Sequence, residues 1–143
     1  MTEGPNGPIL NCLEPFLPCS WREYNGVSSQ STGKTAHLLR RVHRLAVFKL
    51  PRSPQGRHIC DPILRSGTAA AANYGEARGA ESRADFIHKL KVVFKELNET
   101  TLWLEVISES FLLSPENIVA IVAENRELCR IIAASIKTAR ASE

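Results

Sequence analysis

Arg65-Ser-Gly-Thr-Ala-Ala-Ala-Ala-Asn-Tyr-Gly-Glu-Ala-Arg-Gly-Ala-Glu-Ser-Arg-Ala-Asp-Phe-Ile-His-Lys-Leu-Lys91 reads as the end of one helix, a tight corner and the capped start of another. The alanines from Ala69 to Ala72 let a neighbouring backbone come close. Gly75 and Gly79 weaken the helix, and Gly79 is the natural place for a positive φ at its C-terminal stop. Ser82 offers a hydroxyl as N-cap with Asp85 three residues on, a capping box with Asp in place of Glu or Gln.

Downstream of this corner, Phe86, Leu90, Val93, Leu97, Thr101, Leu104, Ile107 and Phe111 step by threes and fours, which predicts a helix from Arg83 to about Ser110. Leu113-Ser114-Pro115-Glu116 then supplies a Ser cap, Pro at the first helical position and an early acid. A last helix follows from Pro115 to about Ala141. Its stripe is Ile118, Ile121, Val122, Asn125, Leu128, Ile132, Ser135, Ile136 and Ala139, and Lys137 and Arg140 sit near its C-terminus.

Upstream, Ser53-Pro54 is a cap followed by proline, so the helix that ends near Arg78 can begin there. Pro62 intrudes two turns later. Either the helix runs through it with a kink, or Asp61-Pro62 is the true start. Before this, Leu38, Val42, Leu45, Ala46 and Lys49 share one face of a helix expected from Ala36 to Leu50, which Pro51 ends. Arg40, Arg41, His43 and Arg44 crowd its other side. No stretch reads as a strand. The expected fold is all-α, an antiparallel up-down four-helix bundle over residues 36–143. Residues 1–35 carry scattered prolines and glycines and no helical spacing, and are expected to be a non-helical, poorly ordered extension.

Net charge is +3, unevenly spread. Residues 34–65 hold eight basic side chains against Asp61 alone, for +7, whereas the flanking parts are each slightly acidic. Such a segment is a candidate surface for an anionic partner, the alternative being a solvated face in a protein of modest charge. Its members are Arg40, Arg41, Arg44, Lys49, Arg52 and Arg57. No aromatic platform for stacking bases is evident, since Trp103 lies mid-helix and Trp21 falls in the irregular extension.

Several chemistries are weighed and set aside. Ser28-Ser-Gln-Ser-Thr-Gly33-Lys34-Thr35 approaches a phosphate-binding loop, but Ser28 replaces the first glycine and no strand precedes it. Asp85-Phe-Ile-His88 places a carboxylate and an imidazole one turn apart, but a di-iron site needs a second such pair. No metal, cofactor or small-molecule substrate is expected. Glu96, Glu99, Glu105 and Glu109 fit a solvated face beside Lys91 and Lys95. No nucleophile has a recognisable base partner, so an enzyme is not expected. The four cysteines, Cys12, Cys19, Cys60 and Cys129, form no CxxC pair and are expected as free thiols, Cys129 near the core. No apolar run approaches the roughly 20 residues of a membrane span, and no secretory signal is evident. A cytoplasmic protein is expected.

The run Arg65-Ser66-Gly67-Thr68, Ala72-Asn73-Tyr74, Glu76-Ala77 and Ala80-Glu81-Ser82-Arg83-Ala84-Asp85-Phe86 resembles the four-helix-bundle proteins encoded within intervening sequences of bacterial 23S ribosomal RNA. The same fold serves the accessory protein of diversity-generating retroelements. The resemblance extends from about His37 to Ala141. It implies a ring-shaped homopentamer with a basic surface that binds RNA or DNA, and it places Glu76, Glu81 and Arg83 near the helix corner, where an ion-pair network and oligomer contacts are expected. Binding would be chiefly to phosphates and salt-sensitive. The alternative is a protein-interaction or structural oligomer without a nucleic-acid role.

Overall fold

The computed structural model describes Gly33, Lys34, His37, Val42 and residues 49–141. Within this range three long helices account for most of the chain: α1 Pro54–Arg78, α2 Arg83–Glu109 and α3 Pro115–Ala141. There is no strand among the described residues. Gly33, Lys34, His37 and Val42 are also helical, so helical backbone is present ahead of Ala36, where the periodicity put its start. Of the non-helical extension expected over residues 1–35, Gly33 and Lys34 are helical, and the rest, with Cys12, Cys19, Trp21 and Ser28, lies outside the described residues.

Ser53 begins α1: its Oγ accepts from the amide of Gly56 at 3.1 Å, with Pro54 in the first turn. The helix runs unbroken through Pro62, so the true start is not at Asp61-Pro62. Proline removes one amide donor. The carbonyl one turn earlier belongs to His58, an exposed position where water can serve it.

Gly79 ends α1 with φ −100°, not with the left-handed backbone expected of it. Its amide instead bonds back to Glu76 at 3.0 Å and that of Ala80 to Ala77 at 3.2 Å. These tighten the last turn without reversing φ. Ser82 then caps α2, accepting from the Asp85 amide at 3.1 Å, while Asp85 Oδ2 accepts from the amide of Glu81 at 3.4 Å.

The core follows the α2 stripe. Phe86, Leu90, Val93, Leu97, Thr100, Leu104 and Ile107 are buried, joined by Ile63, Ala70, Tyr74 and Ala77 from α1 and Ile118, Ile121, Leu128 and Ile132 from α3. Phe111 departs from the expected stripe. It lies just beyond the helix and is 88% exposed.

Helix α2 is the central element, with α1 packed on one side and α3 on the other. Both pairs are antiparallel. Arg65 meets Glu99 while Glu76 meets Lys89, and Asn125 meets Leu97 while Ala139 meets Arg83.

Candidate nucleic-acid interface

The residues of the central run turn out to be fastening hardware between helices. Ser66 is fully buried; Thr100 Oγ1 donates to its Oγ at 2.9 Å, and Ser66 Oγ donates to the Ile63 carbonyl at 3.3 Å. Gly67 is buried where an added Cβ would stand 3.1 Å from Val42 Cγ1. Asn73 Nδ2 donates to the Ala69 carbonyl at 2.9 Å within its own helix. Tyr74 and Phe86 are core residues at 2% and 3% exposure. Arg65 is exposed and donates to Glu99 Oε1 at 3.0 Å.

Of the residues expected in a corner network, Glu76 pairs with Lys89 of α2 at 2.5 Å. Arg83 Nε reaches across to the Ala139 carbonyl at 2.6 Å, tying the start of α2 to the end of α3. This satisfies one of the carbonyls that a helix C-terminus leaves open. Of Asp85 and His88, the first serves the cap and the second is exposed.

The basic segment divides in two. Arg40, Arg41 and Arg44 lie outside the described residues. Lys34 and His37 both face α3: Lys34 stands 4.0 Å from Glu127, and His37 Nδ1 meets Glu124 Oε1. Lys34 is thereby engaged with a carboxylate inside a helical stretch. This leaves the phosphate-loop reading of Gly33-Lys34-Thr35 without support.

Lys49, Arg52 and Arg57 are the exposed remainder. They are gathered by a compact corner. Gly56 sits so close to the preceding chain that an added Cβ would lie 2.0 Å from the Pro51 carbonyl oxygen. Arg57 Nη1 donates to the Arg52 carbonyl at 2.8 Å. Lys49 Nζ donates to Asn117 Oδ1, and Asn117 Nδ2 donates to Ser114 Oγ at 2.8 Å. The corner is thus bound to the start of α3. Ser114 works there through its carbonyl, which accepts the Asn117 amide at 3.0 Å. Among the described residues, no carboxylate lies within ion-pair distance of Lys49, Arg52 or Arg57. A polyanion approaching this corner meets cations that no described carboxylate neutralises.

Elsewhere, charges are mostly matched. Arg65 beside Glu99, helped by the Trp103 indole, holds that carboxyl below its ordinary 4.5. Arg130 does the same for Glu127, with Lys34 contributing. Cys129 is half-buried, and its burial pushes the thiol upward, the opposite of a reactive cysteine. Among the described residues, Cys60 and Cys129 stand outside any disulfide. No described helix is long and apolar enough to cross a membrane.

Long antiparallel helices, short turns and a core shared among the three helices define an all-α protein. The chain belongs to the 23S rRNA-intervening sequence protein family, whose model matches residues 28–134. It is similar to the crystal structure of a protein of unknown function from the S23 ribosomal protein family of Bacteroides thetaiotaomicron. The two share 32% identity and a TM-score of 0.66, over 75% of this chain and 95% of that one. A comparison with curated proteins returns no match.

Proposed function

We propose that this protein is a non-enzymatic, self-associating four-helix bundle of the cytoplasm that binds RNA or DNA through its basic segment. The carrying observation is the exposed corner of Lys49, Arg52 and Arg57, which no described carboxylate neutralises, at the end of a segment of net charge +7. Membership of a family described by an intervening sequence of 23S rRNA is consistent with a nucleic-acid partner. A fourth helix through His37 and Val42, both of them helical, belongs to the same reading. Val42 packs on Gly67 of α1 while His37 meets Glu124 of α3, and these contacts suit a helix that closes the bundle between α1 and α3. Assembly as a ring, with a pentamer the size implied by the resemblance, belongs to the same reading.

Light scattering on the purified protein, alone and with a short structured RNA at low and high salt, tests this. The expected result is a homo-oligomer that takes up RNA at low salt and releases it at high salt. Charge reversal at Arg52 and Arg57, or at Arg40, Arg41 and Arg44, is expected to abolish uptake. Unchanged affinity in both variants overturns the assigned surface. A second reading, a protein-interaction oligomer without nucleic acid, is favoured by Leu102 on α2 and Val119 on α3, which are both more than half exposed. A homo-oligomer indifferent to RNA at every salt supports it.

A further inference from the structure

The turn after α2 is built against the usual preference. The amide of Phe111 bonds to the Ser108 carbonyl and that of Leu112 to the Ile107 carbonyl, each at 3.2 Å. This is the paired pattern of a Schellman stop, whose reversing residue has left-handed backbone and is usually glycine. Here that residue is Phe111, with φ 51°, the sole non-glycine positive φ among the described residues. A side chain in this region crowds its own backbone. Burial does not compensate: the ring is 88% exposed, while the adjoining Leu112 and Leu113 are half-buried against the core. The exposed ring adds nothing to the core, and an unfavourable conformation kept in such a place motivates a search for a function.

Its position indicates which function. The antiparallel register of α1 and α2, set by Arg65 with Glu99 and Glu76 with Lys89, extends to put Phe111 level with Ser53 and Pro54. The same end of the molecule carries Lys49, Arg52 and Arg57, and Lys49 is anchored to Asn117 just beyond the turn that holds Phe111. An open aromatic ring at the same end as these cations matches a strand with unpaired bases, which offers a flat π-face and phosphates together. Duplex keeps its bases stacked inside and offers the ring nothing. Asp61, Glu109 and Glu116 are exposed carboxylates on the same elements.

We propose that Phe111 and the Lys49–Arg52–Arg57 corner form one surface for single-stranded nucleic acid, a base stacking on the ring while its flanking phosphates meet the cations. This rests on the nucleic-acid reading above and narrows it to unpaired strands.

The test is fluorescence anisotropy of the full chain with a labelled single-stranded oligouridine of about 12 nucleotides, its abasic counterpart of equal length, and a duplex. Phe111→Gly is expected to keep its helical circular dichroism and melt at a higher temperature, because glycine suits the left-handed turn. It is expected to bind the oligouridine roughly tenfold more weakly or worse, with abasic binding unchanged. Phe111→Tyr, which keeps the ring, is expected to bind as the wild type does. Reversing Arg52 and Arg57 should weaken all three ligands. Phe111→Gly binding the oligouridine as tightly as wild type overturns this proposal while the nucleic-acid reading stands. Equal loss on the oligouridine and abasic strands overturns it as well. A wild-type protein that binds none of the three strands overturns both readings.

Discussion

Gly67 of α1 and Val42 are in such close apposition that one added methyl group on the glycine would lie 3.1 Å from Val42 Cγ1. Val42 is itself fully buried, so the contact is part of the core. Gly67→Ala gains helix propensity, about 1 kcal/mol, against a neighbour that must yield by a few tenths of an ångström. It is expected to be close to neutral. Gly67→Leu has no such room and should cost about 1–3 kcal/mol by overpacking. Urea denaturation of the two variants checks this. Equal stability of both would mean that Val42 does not seat on Gly67.

Gly56 presents the harder limit. The atom that its Cβ would meet, at 2.0 Å, is a backbone carbonyl oxygen, which cannot rotate away as a side chain does. Gly56→Ala should therefore lower stability by more than about 1 kcal/mol, although alanine is the better helix former. The same variant should weaken RNA uptake, because Pro51 to Arg57 is the corner that gathers the basic side chains. A thermal melt no lower than wild type would show that the corner relaxes.

Ser66 and Thr100 join α1 to α2 by a buried hydroxyl pair at 2.9 Å. Thr100→Val and Ser66→Ala are each expected to cost about 1 kcal/mol. Together they should cost less than the sum, because the second change removes a partner already gone. A double-mutant cycle by chemical denaturation measures this directly, and strict additivity would deny the pair any energetic role.

The Arg65–Glu99 pair carries a pH signature. Arg65 lowers the Glu99 carboxyl below 4.5 in the folded protein. A depressed folded value means stabilisation present above the unfolded value and lost as pH falls through the folded one. Arg65→Met should therefore reduce the melting temperature modestly at pH 7, and the gap to wild type should close as pH falls below 4.5 and through the depressed folded value. Added salt should narrow it too. A gap that persists undiminished into acid would assign the effect of Arg65 to packing instead.

The proposed phosphate-binding role of the corner is checked by salt dependence. Replacing Arg52 or Arg57 singly with Gln should flatten the plot of log affinity for RNA against log salt, its slope falling by about one for each phosphate that goes unneutralised. Replacing Arg65 or Arg126, each already engaged with a glutamate, should change that slope much less.

The helices were legible because their stop and start signals are local. Ser53-Pro54, Ser82 and Pro115 each mark a helix start within the reach of a few residues, and the apolar steps of α2 and α3 name most of their buried positions. The misreadings came where the same periodicity has two continuations. Phe111 falls in step with Phe86 to Ile107, yet the chain leaves the helix at Ser110, and one residue of left-handed backbone carries the ring into solvent. Gly79 could have taken that conformation and did not. Within the central run, the sequence marked Ser66, Gly67 and Arg83 without showing what each touches. Their partners, Thr100, Val42 and Ala139, lie on other helices.

The sequence alone therefore determined the all-α class, the ends of α2 and α3, the character of the α2 stripe and the charge imbalance of residues 34–65. Each depends on residues within a turn or two of one another. Tertiary structure decided which cations face outward without a carboxylate, which carboxylates are already engaged, and that an aromatic ring shares an end with the basic corner. Those relations join positions far apart in the chain, and they exist only once antiparallel packing has set the register between helices.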